Sequence, residues 1–138
     1  MFKVLIVEDS LPFLEAVRGA LQQKFPFVEF EQAADVEQAQ RVAATFQPDL
    51  VFVDVRLADE SGLELTRRLK AAQVAAPVVV LTSYDLPEYK HEAFSCGADH
   101  FLVKGQFQRS EMVSLVESIL PERMRRVPEP EQRKVAGR

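Results

Sequence analysis

The sequence predicts a doubly wound α/β fold, in which five parallel strands form one sheet and five helices connect them. Short apolar runs alternate along the chain with segments whose apolar residues recur every three or four positions, the spacing of an amphipathic helix. Some of the runs contain no polar residue, which is typical of strands that are buried on both faces of a sheet. Strands that alternate with helices in this way form parallel sheets with right-handed connections.

The first half of the chain predicts three strands joined by two helices. The first helix has Ser10 as its expected N-cap and Pro12 in its first turn, and the second helix begins at Asp35. The strand between these helices is the most polar, so we expect it near an edge of the sheet. We predict the three strands over Phe2–Val7, Phe27–Ala33 and Leu50–Asp54.

The second half predicts two more strands and three more helices. A loop over residues 55–60 leads to the third helix, where Ser61 and Glu64 match a capping box. Asp85 or a neighbour caps the fourth helix, and Gly97 suits a left-handed residue after its end. We predict the remaining strands over Pro77–Thr82 and residues 99–104, with the fifth helix after them.

Composition indicates one globular domain followed by a tail. The 138 residues are 47% hydrophobic and 28% charged, which is ordinary for a protein with a packed core. We assign residues 1–120 to the domain and residues 121–138 to a flexible tail or linker, because prolines and scattered charges follow Leu120. The single cysteine, and the lack of a signal-peptide pattern or a membrane-spanning run, favour a cytoplasmic location without membrane contact.

The charge is distributed unevenly along the chain. Residues 1–120 contain 11 basic and 18 acidic residues, a net charge of −7, whereas the tail has a net charge of +3. A negative body repels phosphate backbones, so we expect no direct nucleic-acid contact by residues 1–120. His91, His100 and Cys96 are too few for a metal site of the cysteine–histidine type. We expect Cys96 to be a buried thiol near a helix end.

Polar side chains stand at the carboxyl ends of four of the five predicted strands. Glu8 and Asp9 follow the first strand, the third ends in Asp54, the fourth in Thr82 and the fifth in Lys104. In a doubly wound sheet the carboxyl ends of the strands lie along one edge, the rim of the sheet. Ligands bind on this rim, at the place where the strand order reverses. We therefore expect these five side chains to form one site.

Three carboxylates on one rim repel one another. At about 5 Å and an effective dielectric of about 20, each pair costs roughly 3 kcal/mol, so the site needs cations. Lys104 supplies one positive charge, and Mg²⁺ bound by oxygen ligands would supply the rest. Asp54 could then act as a nucleophile toward phosphorus, while Thr82 and Lys104 contact the phosphoryl oxygens. The alternative is a salt-bridge cluster that only closes the top of the sheet.

The pattern resembles the receiver domain of two-component response regulators over nearly all of residues 1–120. The resemblance implies a flavodoxin-like sheet with strand order 2-1-3-4-5. The matching positions are the acidic pair Glu8-Asp9, the phosphoacceptor Asp54, the hydroxyl of Thr82 and the aromatic-x-x-lysine ending Phe101–Lys104.

The resemblance implies a phosphoacceptor signalling domain, and not an enzyme with a separate substrate. A sensor histidine kinase or a phosphotransfer protein would donate its phosphoryl group to Asp54. Asp9, Asp54 and the backbone carbonyl of Arg56 would bind Mg²⁺ directly, and Glu8 would do so through water. The protein would catalyse only its own phosphorylation and dephosphorylation, largely by positioning and charge neutralisation.

The resemblance also implies how the signal leaves the site. Thr82 would move toward the new group and Phe101 would turn inward, which changes the face formed by helix 4, strand 5 and helix 5. This face would control an output domain or a partner protein, and the family also allows a homodimer. The chain is either a stand-alone receiver or the receiver part of a longer regulator.

Two further positions are expected to set how long the phosphoryl group survives. Arg56 and Tyr84 lie two residues after Asp54 and Thr82, at positions that tune this lifetime in the family. We hypothesise that their bulk and the Arg56 charge shield the acyl phosphate from water. The alternative is that both are solvated loop residues.

Three other functions are compatible with the fold class. A pseudo-receiver, which docks without being phosphorylated, would be expected to lack Asp9, Asp54 or Lys104, and all three are present. A Mg²⁺-dependent phosphatase with an aspartyl-phosphate intermediate usually has a second aspartate where Arg56 stands. A flavin-binding module would not place Glu8-Asp9 in its phosphate-binding loop, because the two carboxylates repel phosphate.

Overall fold

The computed structural model describes residues 1–57, 60–105 and 109–125 of the chain. These residues belong to two compact units, which are divided between residues 107 and 108. The first unit contains the sheet and four helices, and the second contains the two helices that follow.

Five parallel strands form the sheet of the first unit: β1 (Phe2–Val7), β2 (Val28–Ala33), β3 (Leu50–Asp54), β4 (Val78–Thr82) and β5 (His100–Val103). Their order is β2-β1-β3-β4-β5, which confirms the predicted topology. The most polar strand, β2, lies at an edge as expected, and its outer positions Glu29 and Glu31 are exposed.

Helices connect consecutive strands of the first unit, and two more lie in the second. The bounds are α1 (Leu11–Lys24), α2 (Val36–Phe46), α3 (Gly62–Ala71) and α4 (Pro87–Ser95), then α5 (Arg109–Ile119) and α6 (Glu122–Arg125). The single turn α6 lies in the segment that we predicted to be a flexible tail or linker. The rest of that segment, residues 126–138, is outside the described residues. None of the helices within the described ranges is long and apolar enough to cross a membrane.

The core explains why three strands are mostly apolar in sequence, with only Lys3 interrupting β1 and one polar residue ending each of β3 and β4. β1, β3 and β4 have neighbours on both sides in the sheet, and their apolar side chains are buried on both faces. On one face, alternate strand residues form a single hydrophobic cluster with side chains of α2, α3 and α4. That cluster includes Leu5, Val7, Val51, Val53, Val78, Val80, Ala39, Leu65 and Ala93.

Two helix starts differ from the prediction in detail. Ser10 is the N-cap of α1, but its side chain makes no capping bond, and its backbone N–H donates to Glu8 Oε2 at 3.0 Å. The N-cap of α4 is Leu86, the neighbour of Asp85, as the prediction allowed, but Leu86 provides no side-chain cap. Pro87 occupies the first helical position, where its fixed φ suits a helix start and its missing N–H leaves one fewer unpaired donor.

The start of α3 follows the prediction only in part. Ser61 accepts hydrogen bonds from the N–H groups of Leu63 and Glu64, as an N-cap does. The Glu64 carboxylate, however, pairs with Arg67 and Arg68 on its own helix instead of completing the capping box. Charged partners one turn away therefore outcompete the backbone N–H.

The predicted loop over residues 55–60 contains a short antiparallel pair, Arg56–Leu57 with Glu60–Ser61. The Glu60 carboxylate accepts the Val36 N–H at 3.0 Å, so this pair is tied to the start of α2. A pairing of two residues leaves no periodic signal in a sequence, which is why the prediction of a plain loop was incomplete.

Other local predictions are confirmed. Asp35 caps α2 by accepting the Gln38 N–H at 2.8 Å. Gly97, just after α4, has φ of +107°, a conformation that residues with a side chain rarely adopt. Cys96 is buried at the end of α4.

Candidate functional site

The carboxyl ends of four strands meet in one open cleft of about 380 Å³. The cleft is lined by all five predicted site residues, Glu8, Asp9, Asp54, Thr82 and Lys104. Each stands at or just after the end of its strand, so the sheet itself brings them together.

The register of the parallel strands explains why these side chains lie close together. Val7 lies opposite Val53, so the next residues along these two strands are Glu8 and Asp54. Thr82 in turn lies opposite Val103, immediately before Lys104. Parallel strands that end at the same level therefore place acidic, hydroxyl and ammonium groups side by side.

Lys104 lies between two carboxylates. Its Nζ donates a hydrogen bond to Asp54 Oδ2 at 2.9 Å and lies 2.8 Å from Glu8 Oε1. Its side chain is only 14% exposed. Burial alone would lower the pKa of Lys104, but the negative charges of Glu8 and Asp54 outweigh burial and raise its pKa above 10.5. The ammonium therefore stays charged at neutral pH.

Glu8 is the most deeply buried acid of the cleft. Its side chain is fully buried, and Oε2 accepts the Ser10 N–H at 3.0 Å. Burial, with the nearby negative charge of Asp54, raises the pKa of Glu8 above 4.5 despite the Lys104 contact. Oε1 forms an ion pair with Lys104 Nζ and has no other partner among the described residues. That buried oxygen can still accept a donor.

Asp54 is held from two sides. Lys104 contacts Oδ2, and the Arg56 N–H donates to Oδ1 at 3.3 Å. Its main chain is packed against Gly62, where an added Cβ would lie 1.8 Å from the Asp54 carbonyl oxygen. Only glycine allows this approach, so Gly62 fixes the loop after the strand against Asp54.

Three acids form the part of the cleft that could hold a metal ion. Carboxylate oxygens of Glu8, Asp9 and Asp54 all lie within 4.8 Å of one another. Hard oxygen donors in such a group suit Mg²⁺, which keeps several waters when it binds to proteins. The buried Oε1 atom of Glu8 is paired only with Lys104 among the described residues, so it could also accept a hydrogen bond from such a water. The residues present therefore fit the ion.

Thr82 is buried at the end of β4, and its Oγ1 accepts the Tyr84 N–H at 3.0 Å. Phe101, on the neighbouring strand β5, is half-buried and packs against the hydrophobic cluster under the sheet. Phe101 is not among the described residues that line the cleft. The two side chains nevertheless lie on adjacent strands, two residue pairs apart in register.

Arg56 and Tyr84 form one side of the cleft. The Arg56 guanidinium carbon lies 5.4 Å from the centre of the Tyr84 ring, within the range of a cation–π contact. The Tyr84 ring also packs on Tyr89 of α4, with 6.0 Å between ring centres. The two predicted lifetime residues are therefore in contact with each other, although Tyr84 itself is 44% exposed.

One neighbour of the site was missed by sequence reasoning. The Phe13 ring, in the first turn of α1, lies 4.4 Å from Lys104 Nζ. Phe13 borders the apolar stripe of its helix, and nothing in its sequence position indicates a contact with a lysine 91 residues later.

Comparisons with known proteins agree with this arrangement. A family model described as the response regulator receiver domain matches residues 4–117. A gliding motility regulatory protein of Myxococcus xanthus is 38% identical over 106 residues, which are 75% of this chain and 13% of that protein. The virulence transcriptional regulatory protein PhoP of Salmonella typhimurium is 32% identical over 120 residues, 87% of this chain and 52% of PhoP. The chain thus spans about half of PhoP and a small part of the Myxococcus protein.

Solved structures show the same fold. The chemotaxis protein CheY4 of Vibrio cholerae superposes with a TM-score of 0.77 at 30% identity, over 87% of this chain and 99% of that one. The receiver domain of Francisella response regulator 1452 superposes with a TM-score of 0.74 at 24% identity, over 86% and 96% of the two chains. Since the family model covers most of the sequence, the chain belongs to the receiver domain family of two-component response regulators.

Proposed function

We propose that this receiver domain accepts a phosphoryl group on Asp54 from a sensor histidine kinase or a phosphotransfer protein. The observation that carries the proposal is the position of the Lys104 ammonium, 2.9 Å from Asp54, in a cleft shared with Asp9 and Thr82. A carboxylate beside a fixed cation, open to solvent on one side, is suited to charge-balanced phosphoryl transfer.

The transfer replaces one bond to phosphorus with another. A carboxylate oxygen of Asp54 attacks the phosphorus atom of a phosphohistidine, the P–N bond breaks, and its electron pair remains on the imidazole. The domain contributes mainly positioning and charge. Lys104 stays beside the reacting carboxylate, and Thr82 can donate its hydroxyl proton to a phosphoryl oxygen, since its oxygen only accepts from Tyr84.

Mg²⁺ belongs to the proposal as a cofactor. Asp9, Asp54 and the backbone carbonyl of Arg56 would hold it directly, with Glu8 acting through water. The bound ion would supply positive charge that offsets the carboxylates and the phosphoryl oxygens.

The phosphoryl group would carry a charge of roughly −1.5 to −2 and would offer Thr82 a new hydrogen-bond acceptor. Thr82 would leave its contact with Tyr84 and turn toward the phosphoryl group, and Phe101 would move inward. The surface of α4 and β5, the part of the predicted output face that the first unit contains, would then differ between the two states. That difference would control an output domain or a partner protein.

The setting of the domain is part of the proposal. Because several relatives are named as transcriptional regulatory proteins and are about twice as long, we propose that the chain acts as the receiver part of such a regulator or as a separate receiver. We place it in the cytoplasm, with homodimers as one form of output. A docking-only pseudo-receiver is not favoured, since Asp9, Asp54 and Lys104 are present and line one cleft.

Phosphotransfer from a small acyl phosphate tests the function. We expect the wild-type chain to gain one phosphoryl group in the presence of Mg²⁺ and none with a chelator, measured by intact mass. Asp54→Asn removes the nucleophile and keeps the size of the side chain, so it should gain none. An equal gain by Asp54→Asn would overturn the assignment of the acceptor.

A further inference from the structure

We infer that Phe13 is a positioning residue, whose ring face holds the Lys104 ammonium at Asp54 and Glu8. Lys104 Nζ lies 4.4 Å from the centre of the Phe13 ring, well inside the roughly 6 Å limit of a cation–π contact. The same nitrogen lies 2.9 Å from Asp54 and 2.8 Å from Glu8. Three neighbours therefore hold one ammonium, and only two of them are charged. The effect of Phe13 on phosphorylation rests on the proposed function, whereas its effect on Lys104 does not.

The place of Phe13 in α1 favours this role over simple packing. The buried stripe of the helix consists of Leu14, Val17, Ala20 and Leu21, and Phe13 lies beside it, half-buried. The residue stands in the first turn, directly after the loop that carries Glu8. Its ring therefore reaches Lys104 from α1, although Phe13 is not among the described residues that line the cleft.

An aromatic ring suits this position because it attracts a cation without carrying a net charge. The cleft already holds the carboxylates of Glu8, Asp9 and Asp54, and a fourth acid would add to their repulsion. The ring face also excludes water from one side of the ammonium, which strengthens the contacts on the other sides. The attraction of a ring face is less directional than a hydrogen bond, so Lys104 can follow a group added to Asp54.

The first test uses NMR on the unphosphorylated 138-residue chain. A methylene group above a ring face resonates upfield, so we expect the ε-methylene signal of Lys104 to be shifted upfield in the wild type. Phe13→Leu should return the signal toward the ordinary lysine position, and Phe13→Tyr should keep the shift. Phe30→Leu is the matched control, because it removes a ring that contacts Arg18 at 5.6 Å on β2.

The second test measures the rate of phosphorylation by a small acyl phosphate with Mg²⁺. We expect Phe13→Leu to lower the rate about three- to tenfold, the scale of one partly desolvated cation–π contact. Phe13→Tyr should keep at least half of the wild-type rate, and Phe30→Leu should leave the rate unchanged. If Phe13→Leu is not folded, Phe13→Met takes its place, since it preserves most of the side-chain volume.

The outcomes separate the two proposals. A Lys104 signal at its ordinary position in the wild type, or a Phe13→Leu variant that is phosphorylated as fast as the wild type, would overturn the role of Phe13. A wild type that takes up no phosphoryl group would instead contradict the function proposed for Asp54. In that case the NMR comparison still decides whether the ring holds the lysine.

Discussion

Gly62 shows how closely single residues are constrained around the acceptor. An added Cβ would lie 1.8 Å from the Asp54 carbonyl oxygen and 2.9 Å from the Val53 side chain, and both neighbours are buried. We predict that Gly62→Ala lowers the free energy of unfolding by about 2–3 kcal/mol, because the backbone at Asp54 must shift. Urea denaturation of the two proteins measures the difference.

Gly19 provides the matched control for this prediction. It lies inside α1 with open space around the position of a Cβ. Gly19→Ala should therefore raise stability by about 0.5–1 kcal/mol, the usual gain of alanine over glycine in a helix. Similar effects of the two substitutions would show that the approach at Gly62 is not what constrains it.

The contact between Arg56 and Tyr84 makes the lifetime hypothesis specific. Since the guanidinium lies over the ring at the side of the cleft, either truncation should let water reach the acyl phosphate more easily. We predict that Arg56→Ala and Tyr84→Ala each accelerate dephosphorylation several-fold, on the order of the loss of one cation–π contact. The decay of phosphorylated protein after removal of the donor measures the rate.

Arg41→Ala serves as the control for the lifetime prediction. It removes an exposed arginine of α2 that pairs with Glu37, far along the helix from the cleft. Its decay rate should equal that of the wild type. Unchanged rates in Arg56→Ala and Tyr84→Ala would leave both residues as ordinary solvated loop residues.

Asp99, which precedes β5, links this strand to α3 and β4 of the first unit. Its Oδ2 accepts the Val78 N–H at 2.8 Å and contacts Lys70 Nζ of α3 at 2.9 Å. Burial alone would raise the pKa of Asp99, but the Val78 N–H and the Lys70 charge outweigh it and lower the pKa below 3.8. The ionised form therefore stabilises the link between α3, β4 and β5.

A pH dependence follows from this lowered pKa. The stabilisation is present above pH 3.8 and is lost as the pH falls through the lower pKa of the folded state. We predict that Asp99→Asn costs about 1 kcal/mol at pH 7, a value reduced by the solvent exposure of the pair, and that the difference shrinks in acid. Denaturation curves at a series of pH values measure it.

Asp35→Asn is the control for the Asp99 prediction. It changes the same functional group at the N-cap of α2, where asparagine caps as well as aspartate. Its effect on stability should stay within about 0.5 kcal/mol at pH 7. An Asp99→Asn cost that does not change between neutral and acidic pH would contradict the assignment to the carboxylate charge.

Among the secondary-structure elements, the strands could be predicted from the sequence, whereas the helix starts could be predicted only in part. The apolar residues of β1, β3 and β4 are buried on both faces, and burial of that kind leaves a nearly continuous apolar run, which only Lys3 interrupts in β1. The caps depend on competition among neighbours, such as the pairing of Glu64 with Arg67 and Arg68 in place of a capping box, which the capping pattern alone does not encode.

For the whole molecule, the sequence was sufficient for the topology and for the acids, hydroxyl and lysine of the cleft. A parallel sheet forces the ends of its strands together, so residues such as Asp54 and Lys104 could be placed side by side from their positions in the runs. The Phe13 contact could not be predicted, because it depends on how α1 lies across the rim. The close approach of Gly62 also required the three-dimensional path of the chain.

The edge strand β2 has a consequence for solubility. As an edge strand, β2 has backbone groups on its outer side that a strand of another molecule could pair with. The side chains of Glu29 and Glu31 are exposed on the same strand. Two such edges brought together would set four glutamates against one another, and this repulsion discourages edge-to-edge aggregation. None of the β2 residues is among those that line the cleft in the described ranges. Exposed residues of β2 can therefore be substituted for labelling or crystallisation, provided that Glu29 and Glu31 are kept.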